Sequence, residues 1–532
     1  MPFETPLYPT NAFRFLDDPQ FPSYPAPKPT LHAHQDLPKS ISSSAWLQPP
    51  IPARCRLQIN IVGAGLAGLA TAITLTLSGH KVTVFEQAPA FGEVGAGIQV
   101  PPNSTRYLLA WGVGPHLEPH ISEPEAIRLR RWQNGELIGM TRLRGNTGNP
   151  GFREKFGAPY FVVHRADYHG ALVARCKELN IDIREGSEVV SYEFRDAASP
   201  SATHSTRGKN LADGPSQLSN PEPAAVLLLK NGTSHPADLI IAADGLKSPA
   251  RTAILHSHNL SPISPQPTAQ AAYRATIPLS NLQSHPTTTW ITETPNQNLW
   301  IGPSRHCMTY SIGGPSNPNR VFNLVLSHPE PNPPETWSTD PGSVRTEMKS
   351  HFAGWDTRFL SVLDRLSDSS SGRVVKWPIM TIPPLPTWTH ASSRLLVIGD
   401  AAHAMVPYMS QGAAIAVEDA AAVSAVLAQV EDTIKIADAL RVFERVRMRR
   451  ARGMQQASWL NGEIWHLEDG QAQRARDQGM GGDVEEEGDA LMDWNANQWS
   501  DPVCQAWTYG YDAVKEVVRE WDEWKQQQEK KT

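Results

Sequence analysis

Three glycines, Gly63, Gly65 and Gly68, follow an apolar run at Leu57 to Val62 in RLQINIVGAGLAGLATAITLTLSGHKVTVFEQAP. A Gly-x-Gly-x-x-Gly spacing between a strand-like run and an apolar stretch at helical spacing suits phosphate binding. The first glycine lets the chain turn tightly, the second lets a pyrophosphate approach the backbone, and the third packs helix on strand. The helix N-terminus then offers unpaired N–H groups to the phosphates. A second strand-like run, Lys81 to Phe85, ends in Glu86, placed to accept hydrogen bonds from a ribose. Strand, helix, strand and acid in register predict a dinucleotide site rather than a structural turn.

A second constellation lies far downstream, in GDAAHAMVPYMSQGAAIAVEDA from Gly399 to Ala420. Almost nothing in it can do acid–base chemistry. Asp400, at the end of the strand-like run Leu395 to Ile398, can accept hydrogen bonds from a polyol such as the ribityl chain of FAD. The loop from Pro407 runs into an Ala-rich helix whose mouth, Gly412 and Ala413, supplies N–H groups and a partial positive charge. That mouth suits an isoalloxazine ring, which carries negative charge when reduced. A nicotinamide dehydrogenase would need a second glycine fingerprint nearby, and none follows. The two stretches together therefore predict FAD, held by backbone and dipole while the cofactor does the chemistry. His403, beside Ala residues, is read as a structural imidazole.

Further stretches carry a family resemblance along roughly residues 58 to 480. VFEQAPAFGEVGAGIQVPPNSTRYL, VVHRADYHGAL, PADLIIAADGLKSPAR, AYRATIPL and NGEIWHLEDGQAQRARD resemble segments of the single-component FAD-dependent aromatic hydroxylases. The likeness is to the salicylate hydroxylase type and its fungal secondary-metabolism relatives. It implies reduction of FAD by NADH or NADPH, a flavin hydroperoxide, and oxygen transfer to an electron-rich substrate. It also implies FAD contacts at Glu86, Gly97, Arg165, Asp400 and Ala413, and a cofactor role for Asp244. Arg165 independently suits a pyrophosphate or adenosine group as a fork-shaped cation. Asp244 and Gly245 can equally end the strand DLIIAA in a turn. The two roles are compatible.

On the substrate side, Tyr273 and Arg274 are adjacent in a strand-like run. Neighbouring strand side chains point to opposite faces, so at most one looks directly into a cavity. Both are candidate catalytic residues: Arg274 to hold a phenolate or carboxylate, Tyr273 to line the ring or orient a phenol. Relatives acting on small phenolic acids can carry a His just before this Tyr; here the segment is TAQAA, with Gln270 its polar side chain. Trp290, Trp300 and Trp377 are candidates for either pocket or core.

The remaining features set bounds. The chain has 532 residues, with 40% hydrophobic and 19% charged, ordinary for a globular protein with a sizeable core. A net charge of −6 argues against general nucleic-acid binding. RVRMRRAR, from Arg445 to Arg452, is read as a solvated helix face. Four scattered cysteines lack metal-ligand spacing and predict reduced thiols in the cytoplasm, with no metal site. No apolar run is long enough to span a bilayer.

The predicted fold is α/β, a Rossmann-like FAD-binding domain interleaved with a substrate domain on a mixed or antiparallel sheet. Its expected parts are a Pro-rich, poorly ordered arm (1–54) and an FAD domain with inserted substrate strands (55–255), including a long loop at 197–223. A substrate domain (256–390), a return to the FAD domain (391–430) and a helical C-terminal region (431–532) follow. The expected activity is NAD(P)H- and O2-dependent hydroxylation of an aromatic or polyketide-like small molecule. Epoxidation, decarboxylative hydroxylation and a catalytically silent flavin protein are the alternatives.

Overall fold

The computed structural model describes residues 3–27, 37–92, 95–145, 150–194, 224–314, 317–332, 341–366, 374–481 and 493–531. The loop expected at 197–223 lies outside them.

Short apolar runs become a five-stranded, all-parallel sheet in the order Leu395–Val397, Leu239–Ala242, Gln58–Val62, Lys81–Phe85, Asp182–Arg184. Leu239–Ala242 and Leu395–Val397 are buried at every residue, as strands covered on both faces must be. The edge strand at Leu395 brings the chain back to the domain it left. The helix after the glycines, Leu66–Leu77, packs along the helix Gly412–Leu427.

A seven-stranded sheet forms the second layer, in the order Val375–Thr381, Gln266–Pro278, Val321–Pro329, Arg305–Ile312, Gln297–Gly302, Ala126–Arg131, Leu137–Arg142. It is mixed: Gln297–Gly302 runs parallel to Ala126–Arg131, and the other neighbours are antiparallel. Its last two strands come from the first third of the chain, which is the interleaving the sequence predicts. One face of this sheet, with Tyr273, Ala275, Ile277 and Trp300, closes a separate apolar core against the helices Pro341–His351 and Thr357–Leu363. The other face, with Ala272, Leu299, Met308 and Tyr310, belongs to the main core shared with the parallel sheet. Helices Ile436–Trp465, Gln471–Gly479, Pro502–Tyr509 and Ala513–Glu529 build the C-terminal region.

The N-terminal arm is a correction. Far from being poorly ordered, its described residues pack on the body: residues 3–27 against the C-terminal region, and residues 40–54 against Ser78, Ala110, Glu118 and Ala428. Tyr8, Ala12 and Phe13 are buried, and the Tyr8 ring lies 5.0 Å from Trp507. Asn11 donates its backbone N–H to Asp501 Oδ1 at 3.1 Å, and exchanges two 2.8 Å hydrogen bonds with the backbone of Tyr24. Prolines forbid a regular ladder here, but side chains can still anchor an irregular segment. Burying two aromatic side chains is worth roughly 1.5–3 kcal/mol each. Deleting residues 1–27 should therefore lower the melting temperature by several degrees and expose the buried Asp501. An unchanged thermal melt would show the arm to be dispensable.

Candidate functional site

Each fingerprint glycine answers to a distinct geometric demand. Gly63 has φ +95°, and a Cβ there would sit 2.5 Å from the Ala243 carbonyl oxygen. A Cβ on Gly68 would run into the carbonyl of Gly63. Gly65, at the helix N-terminus, faces open space, with nothing within 4 Å of a Cβ. That opening is what a pyrophosphate on the helix mouth requires. Glu86 braces the same loop: its carboxylate accepts Ala64 N–H at 2.7 Å and Ala88 N–H at 2.9 Å.

Asp400 reaches this loop from the far end of the sequence. Gly399 has φ +61°, and its Cβ would lie 2.9 Å from Ala67 and 3.6 Å from Ala416. The strand end is thus wedged between the first turns of the two packed helices. Asp400 itself is exposed, and Gly412 opens the second helix with nothing within 4 Å of a Cβ. Two open helix mouths flank one strand end, and their unpaired N–H groups are donors of the kind that FAD would use.

Behind the strand end lies a buried ion network. Asp419 Oδ2 accepts Gly399 N–H at 3.1 Å and His403 Nε2–H at 2.6 Å, while Oδ1 accepts Arg447 Nε–H at 2.8 Å. Glu418 is held by Arg447 at 2.8 Å, Arg450 at 2.9 Å and the Asn103 amide at 2.7 Å. Burial alone would raise the Asp419 carboxyl, but His403 and Arg447 outweigh it and hold it below its usual range. His403 is buried, its Nε2 on Asp419 and its Nδ1 without a partner.

The remaining candidates divide. Arg165 opens the helix Arg165–Glu178, its N–H on the Ala96 carbonyl at 3.0 Å. Asp244 closes a turn, Oδ2 accepting Ala250 N–H at 3.2 Å, while its buried Oδ1 has no partner. Burial raises this carboxyl. Gly97 donates its N–H to Asn323 Oδ1 at 2.8 Å, so it touches the substrate sheet directly.

The structure separates Tyr273 from Arg274. Arg274 lies on the face turned to the main core shared with the parallel sheet, its guanidinium 4.1 Å over the Trp377 ring and its Nε–H without a partner. Burial pulls it down to about 10; Tyr310 favours its charge and Arg165 opposes it, which places both within electrostatic reach. Tyr273 points the other way, into the separate core. Its hydroxyl meets His351 Nδ1 at 3.0 Å and its ring stacks on His328 at 4.4 Å. Burial and Glu347 raise its phenol well above the usual value. Strand alternation leaves Tyr273 no path to the Arg274 face. Trp300 is likewise core, its Nε1–H on Asp356 at 3.0 Å.

Comparison with known proteins agrees with this geometry. Residues 61–120 match an NAD(P)-binding Rossmann-like domain, and residues 386–458 match an FAD binding domain. The FAD-dependent monooxygenase OpS4 of Beauveria bassiana is 34% identical, covering 86% of this chain and 96% of its own length. The chain belongs to the FAD-dependent monooxygenases. Salicylate hydroxylase of Pseudomonas putida is 30% identical over 78% of this chain and 87% of its own. Two solved structures share the fold at 21% identity, each covering 88% of this chain and 98% of its own. They are CtdE in complex with FAD and substrate, TM-score 0.67, and a salicylate hydroxylase substrate complex, TM-score 0.63.

In this monooxygenase the glycine turn and the strand end at Asp400 were legible from spacing, whereas Tyr310, Asn323, Asn103 and the Asp419 network were not. The available signal for Tyr310 was the period of two in RHCMTYSI, which sets it on the same face as Met308. Among the described residues, no helix is long and apolar enough to cross a membrane.

Asp400→Ala should weaken FAD binding roughly tenfold to hundredfold, the loss of one charge-assisted hydrogen bond to the ribityl chain. Flavin absorbance retained after gel filtration reads it. Wild-type occupancy in a folded variant would remove Asp400 from the cofactor site.

Proposed function

We propose that this monooxygenase hydroxylates an aromatic or polyketide-like small molecule in secondary metabolism, using NADH or NADPH and O2. The observation that carries this reading is Arg274, a cation stacked on Trp377 with an unpartnered Nε–H on the face of the substrate sheet turned to the main core. Relatives named for small aromatic acids support it, among them salicylate hydroxylase and 3-amino-4-hydroxybenzoate 2-monooxygenase PtmB3 of Streptomyces platensis. Four unpaired cysteines suit a cytoplasmic setting.

When bound, FAD supplies two-electron chemistry between the nicotinamide and O2. The balance is one C–H converted to C–OH, one oxygen atom leaving as water, and NAD(P)H plus a proton oxidised to NAD(P)+. The chain's own part is to bind, orient and shield. The helix mouths at Gly65 and Gly412 hold negative charge by N–H groups and dipole. Arg274 holds an anionic oxygen of the substrate, keeping a phenol as its more nucleophilic phenolate. Closure of the substrate sheet over the parallel domain excludes water.

The test incubates the flavin-loaded protein with a panel of phenols, phenolic acids and aromatic polyketides. A true substrate should stimulate NADH or NADPH oxidation and gain one oxygen in mass. Stimulated oxidation with only peroxide released, or no stimulation by any panel member, would overturn the reading.

A further inference from the structure

Gly97 matches the family segment that implies an FAD contact, yet the structure shows a different demand for glycine there. It sits in the extended strand Gly97–Val100, paired with Phe161–His164, so no backbone strain calls for glycine. The demand is space. A Cβ at Gly97 would lie 2.5 Å from Tyr310 Cε2, 2.7 Å from its hydroxyl oxygen and 2.8 Å from Asn323 Cγ. Tyr310 therefore occupies the volume that the missing side chain leaves.

Asn323 stands directly across from Tyr310 in the sheet, and across from Thr276 on its other side. It is fully buried, and its Oδ1 accepts the Gly97 N–H at 2.8 Å. One amide thus ties a strand of the substrate sheet to a strand of the cofactor domain, on the face that carries Arg274. A leucine of similar size would fill the site but leave the Gly97 N–H without its acceptor, which a buried amide tolerates poorly.

We propose that Asn323 is a positioning residue: by holding Gly97 and backing Tyr310, it locks the substrate sheet onto the cofactor domain and keeps water from the cofactor. The proposal rests on the FAD site, and on the substrate reading only for which face matters. Its readouts need no substrate, so failure of the substrate reading leaves them interpretable.

The experiment compares flavin-loaded wild type with Asn323→Leu and Asn323→Asp. Three quantities are measured: FAD affinity of the apoprotein, iodide quenching of bound-flavin fluorescence, and amide hydrogen exchange in the peptide containing Gly97. Asn323→Leu should bind FAD like wild type but exchange at Gly97 about tenfold faster, with stronger iodide quenching. Asn323→Asp keeps an acceptor and, measured at low pH where its buried carboxyl is neutral, should restore most of the protection. Wild-type exchange and quenching in Asn323→Leu would overturn the proposal. If that variant fails to fold, Gly97→Ala reads the joint from the other side. Its Cβ displaces Tyr310, so quenching should rise, and unchanged quenching would equally overturn the proposal.

Discussion

Arg447→Met should yield little folded, flavin-loaded protein. Arg447 is fully buried, hydrogen-bonds Asp419 Oδ1 at 2.8 Å and the Ile415 carbonyl at 3.2 Å, and ion-pairs with Glu418 Oε2 at 2.8 Å. Removing one partner of a buried ion network leaves uncompensated charge, typically costing about 3–5 kcal/mol. Two carboxylates at the heart of the helix Gly412–Leu427 would face that loss. Since Asp419 also holds Gly399 N–H, the strand end carrying Asp400 should loosen with it. Flavin loss should accompany the fall in melting temperature. Adding Asp419→Asn neutralises the carboxylate left without an arginine, while Glu418 keeps Arg450 at 2.9 Å, and should recover part of the stability. The pH dependence has a definite sign. Asp419 is depressed in the fold, so its contribution is present above the unfolded carboxyl value of about 3.9 and fades as pH falls through the folded one. A variant that melts like wild type and keeps its flavin would show that the network is dispensable.

This network also shows what sequence could and could not reveal. The glycine spacing, the strand runs and the Asp400 position were legible because each depends on local geometry that a few residues dictate. RVRMRRAR was read as one solvated face, but the helix splits it: Arg445, Arg449 and Arg452 are exposed, while Arg447 and Arg450 are buried. Arg450 lies 4.3 Å over both Trp507 and Tyr511, partners supplied by a helix later in the chain and the connection that follows it. Nothing local distinguishes an arginine that will meet buried acids from one that will meet water. The arm fails for the same reason, because Asn11 and Tyr8 are ordered by residues nearly the full chain length away. Alternation did establish that only one of Tyr273 and Arg274 could face inward. Which one was decided by neighbouring strands, whose register no single strand encodes.

That choice leads to the largest expected effect on activity. Arg274→Ala should keep its FAD, since Gly65, Asp400 and Gly412, proposed to hold the cofactor, lie on other elements. Product formation should fall on the order of a hundredfold, the usual scale for losing a preorganised charge at a reacting group. NAD(P)H oxidised should then appear increasingly as peroxide, because a misplaced substrate no longer captures the oxygen. Arg274→Lys should recover only part, as a point charge lacks the planar fork that stacks on Trp377. The pH profile separates an electrostatic role from a structural one. In wild type Arg274 stays charged at neutral pH even with burial pulling it to about 10, so in the proposed role it would hold a phenolate at pH 7. Without it, a phenol ionises only near its own value of about 10. Product formation by Arg274→Ala should therefore climb as pH rises from 7 towards 9, while wild type stays comparatively flat. Full coupling in the variant, or a profile parallel to wild type, would make Arg274 a structural residue. The oxygen-transfer pocket would then be sought around Tyr310, a polar aromatic group on this face.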